Sequence, residues 1–358
     1  MKKILPAVIS LLSILCFITA CGFNNPGYNP GEVGYTPPGW TDPELFYEEE
    51  EYFASRVVDY RQAPGQFYKS SDYSIENNVE KLLGPPSGGG IFGSDNSSIV
   101  SLGMAGGYVI LQFDVPIENH PDNMGGYDFI VFGNSFWSGG SPESPLREPG
   151  VIEIMEDENG DGIPNDIWYL IPGSHLSVSD LPVDINYSVQ WYDTVDSTLS
   201  WSVQPGSLSG TQLFSDSQAW WNSQAENPAY FDHVYLLPDS VYYSTGGFAA
   251  VWGSADSAPT SVLGDLNGDG DTKDMEDYPG IKPSWFYTVP DTHGDNRIDD
   301  GSGGGSAIKI EWAVDADFIS AELDRISWIK ISSASLKIHD ALGELSCEVD
   351  AVARVRRE

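Results

Sequence analysis

The sequence predicts an all-β protein, a sandwich or barrel of many short strands, and three observations predict it. Glycine and proline are abundant, 38 and 24 in 358 residues, and they cut the chain into short apolar runs. Several runs alternate apolar and polar residues, the period of a half-buried strand. Apolar residues make up 41% and aromatics 12%, too much for a disordered acidic chain and enough for a sizeable core.

Residues 1–20 read as a signal peptide. Lys2 and Lys3 precede an apolar run from Ile4 to Ala20, and the run ends in small residues. Pro6, Ser10 and Ser13 interrupt it, and it falls short of the ~20 residues that comfortably span a bilayer. A retained membrane helix is the competing reading. Ile18-Thr19-Ala20-Cys21 resembles a bacterial lipobox. That resemblance implies cleavage before Cys21 and lipidation of Cys21 by diacylglyceryl and fatty acyl chains such as palmitate. Two or more chains give stable anchoring where one does not. Gly22, rather than Asp, follows Cys21 and favours the outer membrane over the inner. Residues 21–45 are rich in Gly, Pro and Asn without periodicity, the composition of a flexible tether. The acidic run Glu48–Glu51 closes it as a solvated linker end.

Residues 46–358 are expected to form one large sandwich domain with insertions. Strands are predicted at 107–114, 127–132, 151–156, 167–171, 187–192, 233–237, 248–252, 307–314, 326–331 and 347–352. The stretch 151–156 alternates apolar and acidic residues and suits a half-exposed strand. A short helix is expected at 74–83, and a helix or loop at 217–224. No repeat at a fixed period points to a solenoid.

Charge narrows the function. Asp and Glu number 53 against 17 Lys and Arg, for a net charge of -36. This argues against nucleic acid and anionic membrane surfaces, so the membrane is met only through the lipid. It favours divalent cations. Of the three cysteines, Cys16 leaves with the signal and Cys21 takes lipid. Cys347 is left without a disulfide partner and is expected as a small buried residue.

Three loops carry the most specific chemistry. Asp265, Asn267, Asp269 and Asp271 stand at positions 1, 3, 5 and 7 of an EF-hand-type loop, with Gly270 at 6 and Glu276 at 12. Calcium takes roughly six to eight oxygens at ~2.3–2.6 Å, which alternate inward side chains can supply. The second loop holds Asp157, Asn159 and Asp161, with Gly162 at the turn and Asp166 as the closing ligand. Pro164 forbids a following helix. The third, with Asp291, Asp295 and Asp299, is degenerate, since His293 and Asn296 occupy the third and sixth positions. Calcium is the expected ion; an Asx-rich turn without metal is the alternative.

Distinctive motifs follow in a fixed order: residues 125–136 (GGYDFIVFGNSF), Arg147 to Glu153, 168–174, Trp252 to Asp256, 308–315, and Leu342 to Val349. In that order they resemble a family of secreted or lipid-anchored cell-surface proteins of host-associated Gram-negative bacteria, associated with PKD-type modules. The resemblance spans about 55–353. It implies a jelly-roll sandwich of the galactose-binding-like kind, with an extracytoplasmic binding or structural role and no catalytic residues. Ser254 and Cys347 depart from the family pattern of Tyr and Thr.

Enzyme signatures are absent. The five histidines show no HExxH spacing, Gly133 to Trp137 is no GxSxG elbow, and no phosphate-binding glycine loop occurs. The expectation is therefore a binder of a glycan or a surface-protein ligand. A purely structural envelope protein is the first alternative and a carbohydrate-active hydrolase the second. Trp137, Trp191, Trp201, Trp220, Trp221 and Trp285 stand in or near loop-like stretches where rings can stack on sugars. Burial in the core is the competing role for each. The adjacent pair Trp220-Trp221 is the best candidate, then Trp137. Arg147 and Glu148 are expected to form a structural ion pair.

Overall fold

The computed structural model describes residues 49–67, 79–86, 99–137, 145–191, 197–214, 227–242, 251–260, 283–293, 297–299, 301–339 and 343–358. Outside the described residues lie the signal and tether with Cys21, the 217–224 stretch with Trp220 and Trp221, residues 74–78 of the 74–83 stretch and residues 248–250 of the 248–252 stretch. The loop bearing Asp265, Asn267, Asp269, Asp271 and Glu276 lies outside them too, as does Asp295.

In chain order the strands are β1 (Arg56–Arg61), β2 (Val100–Ser101), β3 (Tyr108–Glu118), β4 (Phe129–Phe132), β5 (Phe136–Trp137), β6 (Pro145–Leu146), β7 (Val151–Met155), β8 (Tyr169–Ile171) and β9 (Val183–Trp191). They continue with β10 (Ser197–Gln204), β11 (Ser209–Phe214), β12 (Ala229–Val234), β13 (Ser306–Ile308), β14 (Arg325–Ser332), β15 (Ile338–His339), β16 (Gly343–Glu344), β17 (Glu348–Val349) and β18 (Ala351–Arg354). Helical turns among the described residues are short and of the 3-10 type. The protein is all-β, as its glycine, proline and short alternating runs predict.

Three antiparallel sheets dominate. One has the order β1-β3-β14-β7-β8, a second β11-β10-β9-β12 and a third β13-β4-β18. Alternation decides which side chains point inward. Val109, Leu111 and Phe113 of β3 meet Ile329 and Ile331 of β14 and Ile152 and Ile154 of β7 in the largest core. Their neighbours Tyr108, Ile110 and Lys330 are less buried. The run Phe129-Ile130-Val131-Phe132 is buried on both faces. Phe129 and Val131 enter that core, while Ile130 and Phe132 pack with Trp285, Phe286 and Tyr287. Each such side chain contributes about 1.5–3 kcal/mol by leaving water.

Several boundaries differ from expectation, each for a local reason. Residues 151–156 read as half-exposed, yet all of β7 is buried, because Lys330 and His233 cover the acidic face of Glu153. The 307–314 strand stops at Ile308; Asp128 Oδ2 accepts the Ile310 N–H at 2.6 Å and residues Ile310–Trp312 turn. At the end of the chain Asp350 gives its N–H to the Phe132 carbonyl and separates β17 from β18. The described end of the expected 74–83 helix is a single 3-10 turn, Val79–Leu82. Strands β10 and β11 are Ser- and Thr-rich and escape a search for apolar runs. Trp201 of β10 lies over Gly210, where an added Cβ would stand 2.2 Å from the ring.

Candidate functional site

A cleft of about 210 Å³ opens where the outer face of the five-stranded sheet meets β12. Register builds its floor. Arg61 of β1 stands opposite Tyr108 of β3, and Tyr108 opposite Ser332 of β14. Two residues along, Ile110 faces Lys330, and Lys330 faces Glu153 of β7. Trp168, just before β8, and Phe231, Asp232 and His233 of β12 form the walls.

The β12 wall owes its shape to a bulge. Phe231 pairs with Ile185 and Val234 with Val183, so Asp232 and His233 together oppose the single residue Asp184. His233 takes a φ of 52°, the left-handed region. A bulky residue held there costs of order 1–3 kcal/mol and is found where the surroundings fix it, commonly at functional sites. Its ring meets Tyr235 edge-on at 5.4 Å, and its Nε2 lies 3.6 Å from Glu153 Oε1.

Electrostatics hold the floor together. Lys330 Nζ donates to the buried Glu153 Oε2 at 2.6 Å and stands 5.7 Å over the Tyr108 ring. Tyr108 donates its hydroxyl to Asp59 Oδ2 at 2.7 Å. Burial first, and then Asp59, pushes the Tyr108 phenol up. Burial and the charge of Glu153 raise Tyr235 to about 12. The Arg61 guanidinium lies 4.1 Å above the Phe231 ring, a cation–π contact that ties the β1 edge of the floor to the β12 wall. The arrangement suits binding: rigid aromatic faces beside fixed donors and acceptors.

Two of the expected acidic loops fall wholly or partly within the described residues. In the Asp157 loop, Asp157 accepts the N–H of Asp161 at 3.1 Å and of Gly162 at 3.0 Å. Asn159 Oδ1 accepts the Asp161 N–H at 2.8 Å. Asp166 closes the turn, accepting from Glu158 N at 3.0 Å and Asn159 Nδ2 at 3.2 Å. Gly160 and Gly162 both sit at φ 72°, which the tight turn requires. The four expected ligands thus share one turn, and their all-oxygen donor set suits calcium. Their oxygens face the turn's own amides, and among the described residues no three His, Cys, Asp or Glu side chains converge on one point as a metal shell would.

In the third loop Asp291 accepts the His293 N–H at 3.1 Å. Asp299 accepts from Thr292 N at 2.8 Å and from His293 Nδ1 at 3.0 Å. Burial works to raise the Asp299 carboxyl, but the bonds from Thr292 and His293 outweigh it and hold the group below its ordinary range. Trp137 and Asp291 come together in a second, smaller pocket of about 100 Å³ with Arg147 and Arg297. Trp285 is core instead.

A feature the sequence did not announce is a buried acid cluster. Glu148, Asp256, Glu344 and Glu348 act on one another electrostatically. Asp256, Glu344 and Glu348 are buried; Glu148 keeps a little exposed surface but is densely surrounded. Asp256 Oδ1 accepts from Ser135 N at 2.9 Å and Oγ at 2.8 Å, and Oδ2 accepts the Glu348 N–H at 3.2 Å. Glu344 Oε1 accepts the Gln66 N–H at 2.8 Å. Glu148 and Glu348 are joined carboxyl to carboxyl, which requires a proton between them. Burial and the neighbouring acids push Glu148 and Glu344 far up, Glu348 up to about 8 and, by burial, Asp256 to about 6. The free Cys347, 1% exposed, stands beside them as a small core residue.

The expected Arg147–Glu148 ion pair is replaced by divergent contacts. Arg147 Nε donates to the Val241 carbonyl at 3.0 Å while Glu148 turns to Glu348. Adjacent residues on an extended chain point to opposite sides. Glycine permits the close approach: a Cβ on Gly133 would meet Asp256 Oδ1 at 2.4 Å, and one on Gly150 would meet Cys347 Sγ at 2.5 Å. The motif-bearing segments 133–135, 147–150, 252–256 and 343–349 therefore converge on this cluster.

No known family model matches the chain, and no curated protein is significantly similar to it.

The cleft residues were missed because each looks ordinary alone. A faint signal existed: Glu153 is the one charge of Val151–Met155, and Lys330 is a charge set among the apolar residues Ile329 and Ile331 of Arg325–Ser332. Two such charges of opposite sign suggest a cross-strand pair.

Proposed function

We propose that the chain is a lipid-anchored protein of the cell envelope, more specifically of the outer membrane, whose calcium-stabilised jelly-roll sandwich binds a glycan or another extracellular ligand. The observation that carries this reading is the cleft between β3, β14 and β12. It combines an aromatic wall, paired polar groups and a strained histidine in one concave site. The lipobox at Cys21 supports the anchor, and the oxygen-rich loops support calcium.

Asp157, Asn159, Asp161 and Asp166 would hold one ion, and the Asp265 loop another. When bound, calcium neutralises carboxylates that otherwise repel. The chain's own residues do the rest. Trp168 follows Asp166 by two positions, so a fixed loop fixes one wall of the cleft. Glu153 orients Lys330, and the bulge orients His233.

A glycan array probed with the calcium-loaded protein tests the binding half: the expected result is a restricted set of positive glycans, lost on EDTA treatment. A blank array leaves the purely structural envelope role in its place. Release of reducing sugar, abolished by one carboxylate substitution in the cleft, would favour the hydrolase. Cys21→Ser is expected to move the protein from the membrane to the soluble fraction and to abolish labelling by radioactive palmitate.

A further inference from the structure

We infer that the cleft takes a single uncharged hexose ring, its face on Trp168 and its hydroxyls between Arg61, Asp232 and the Lys330–Glu153 pair. This rests on the glycan-binding reading of the same site. Size is the first argument. At about 210 Å³ the cleft is smaller than the roughly 300–1,000 Å³ of pockets for drug-sized ligands, and it accommodates one ring, not a chain lying along it. Aromatic character is the second. Trp168, partly exposed, lines the wall, and an indole face matches the C–H face of a pyranose.

Charge selects the class. The cations here come with anions beside them. Lys330 is bonded to Glu153, and His233 is 3.6 Å from the same carboxylate. Arg61, Asp59 and Asp232 all lie within electrostatic reach of the Tyr108 hydroxyl. Two permanent cations thus face three carboxylates, and the chain carries -36 overall. A uronic or sialic acid would add a carboxylate where the balance is already negative, whereas hydroxyls can donate to Asp232 and accept from Arg61 and Lys330.

The test is titration calorimetry on the full chain in detergent and calcium, with matched pairs of methyl hexosides and methyl hexuronides as probes. At least one neutral hexoside is expected to bind, with its uronide about tenfold weaker through like-charge repulsion. Trp168→Ala should weaken the neutral sugar about tenfold through loss of stacking without moving the melting temperature. Asp232→Asn should narrow the gap between the two probes, which a merely structural role for Asp232 would not do. A uronide that binds as tightly as its hexoside overturns the charge argument and leaves glycan binding standing. Glycan binding indifferent to Trp168→Ala overturns the location. If no glycan binds on the array or in solution, both readings fall.

Discussion

In the turn from Asp157 to Asp166, carboxylates meet water and accept hydrogen bonds from the turn's own amides. Around Glu348 the same residue types are packed out of water against one another. In the exposed turn, amide donors and solvent satisfy the carboxylate oxygens. The buried group keeps its place only by holding protons, since ionised carboxylates in a low-dielectric interior repel and lose hydration. One composition therefore yields two regions, one open to water and cations and one whose stability is tied to bound protons.

The largest expected effect breaks the buried region outright. Asp256→Ala removes the acceptor for Ser135 N–H and Glu348 N–H, while Ser135 Oγ–H keeps the backbone carbonyl of residue 256. Stranding these donors is expected to destabilise the fold by about 3 kcal/mol, read by urea denaturation; a loss near zero would show that the cluster does not hold these segments together.

Next comes pH. Glu348 and Asp256 titrate near 8 and 6 when folded, above their ordinary values, so the folded state binds more protons than the unfolded one. Their stabilising contribution is whole below about pH 4 and is lost as pH rises through 6 and 8. His175, half-buried with both ring nitrogens out of water, runs the other way. Burial, then Arg147, pushes it down to about 4, so stability is lost as pH falls below about 6.5 towards 4. The melting temperature should peak on the acidic side of neutrality. Glu348→Gln should flatten the alkaline limb, gaining about 2 kcal/mol at pH 8.5 by removing a group that must otherwise ionise in the interior, with little change at pH 5.

The smallest effect belongs to the exposed turn. In EDTA, Asp161→Ala should shift stability by less than about 0.5 kcal/mol, as for most surface changes. With calcium added, the wild-type melting temperature should rise, and the variant should forfeit part of that rise. A wild-type protein indifferent to EDTA would remove calcium from the comparison and leave two kinds of proton and amide management.

The sheets were legible because their side chains alternate or run apolar without break; β3, β4, β7, β8, β9 and β14 each overlap a predicted stretch. β10 and β11 were not, because serine and threonine carry no hydrophobic period. The Asp157 turn was legible because its chemistry is local, with all four key side chains within ten residues. The acid cluster and the cleft were not. Glu148 meets Glu348 only because the fold brings two segments far apart in the chain together, and His233 acquires its pose from a bulge that no local residue type declares.

The middle strand of the three-stranded sheet has a further implication. Val131 of β4 pairs with Ser306 of β13 on one edge and Val352 of β18 on the other. A growing chain synthesised only as far as Ser302 therefore lacks both partners, while Phe129-Ile130-Val131-Phe132 has long been made. Non-local pairing of this kind slows folding, and an unpaired apolar strand invites association between chains. The interval between making β4 and making β18 is the period in which this protein is most prone to aggregate.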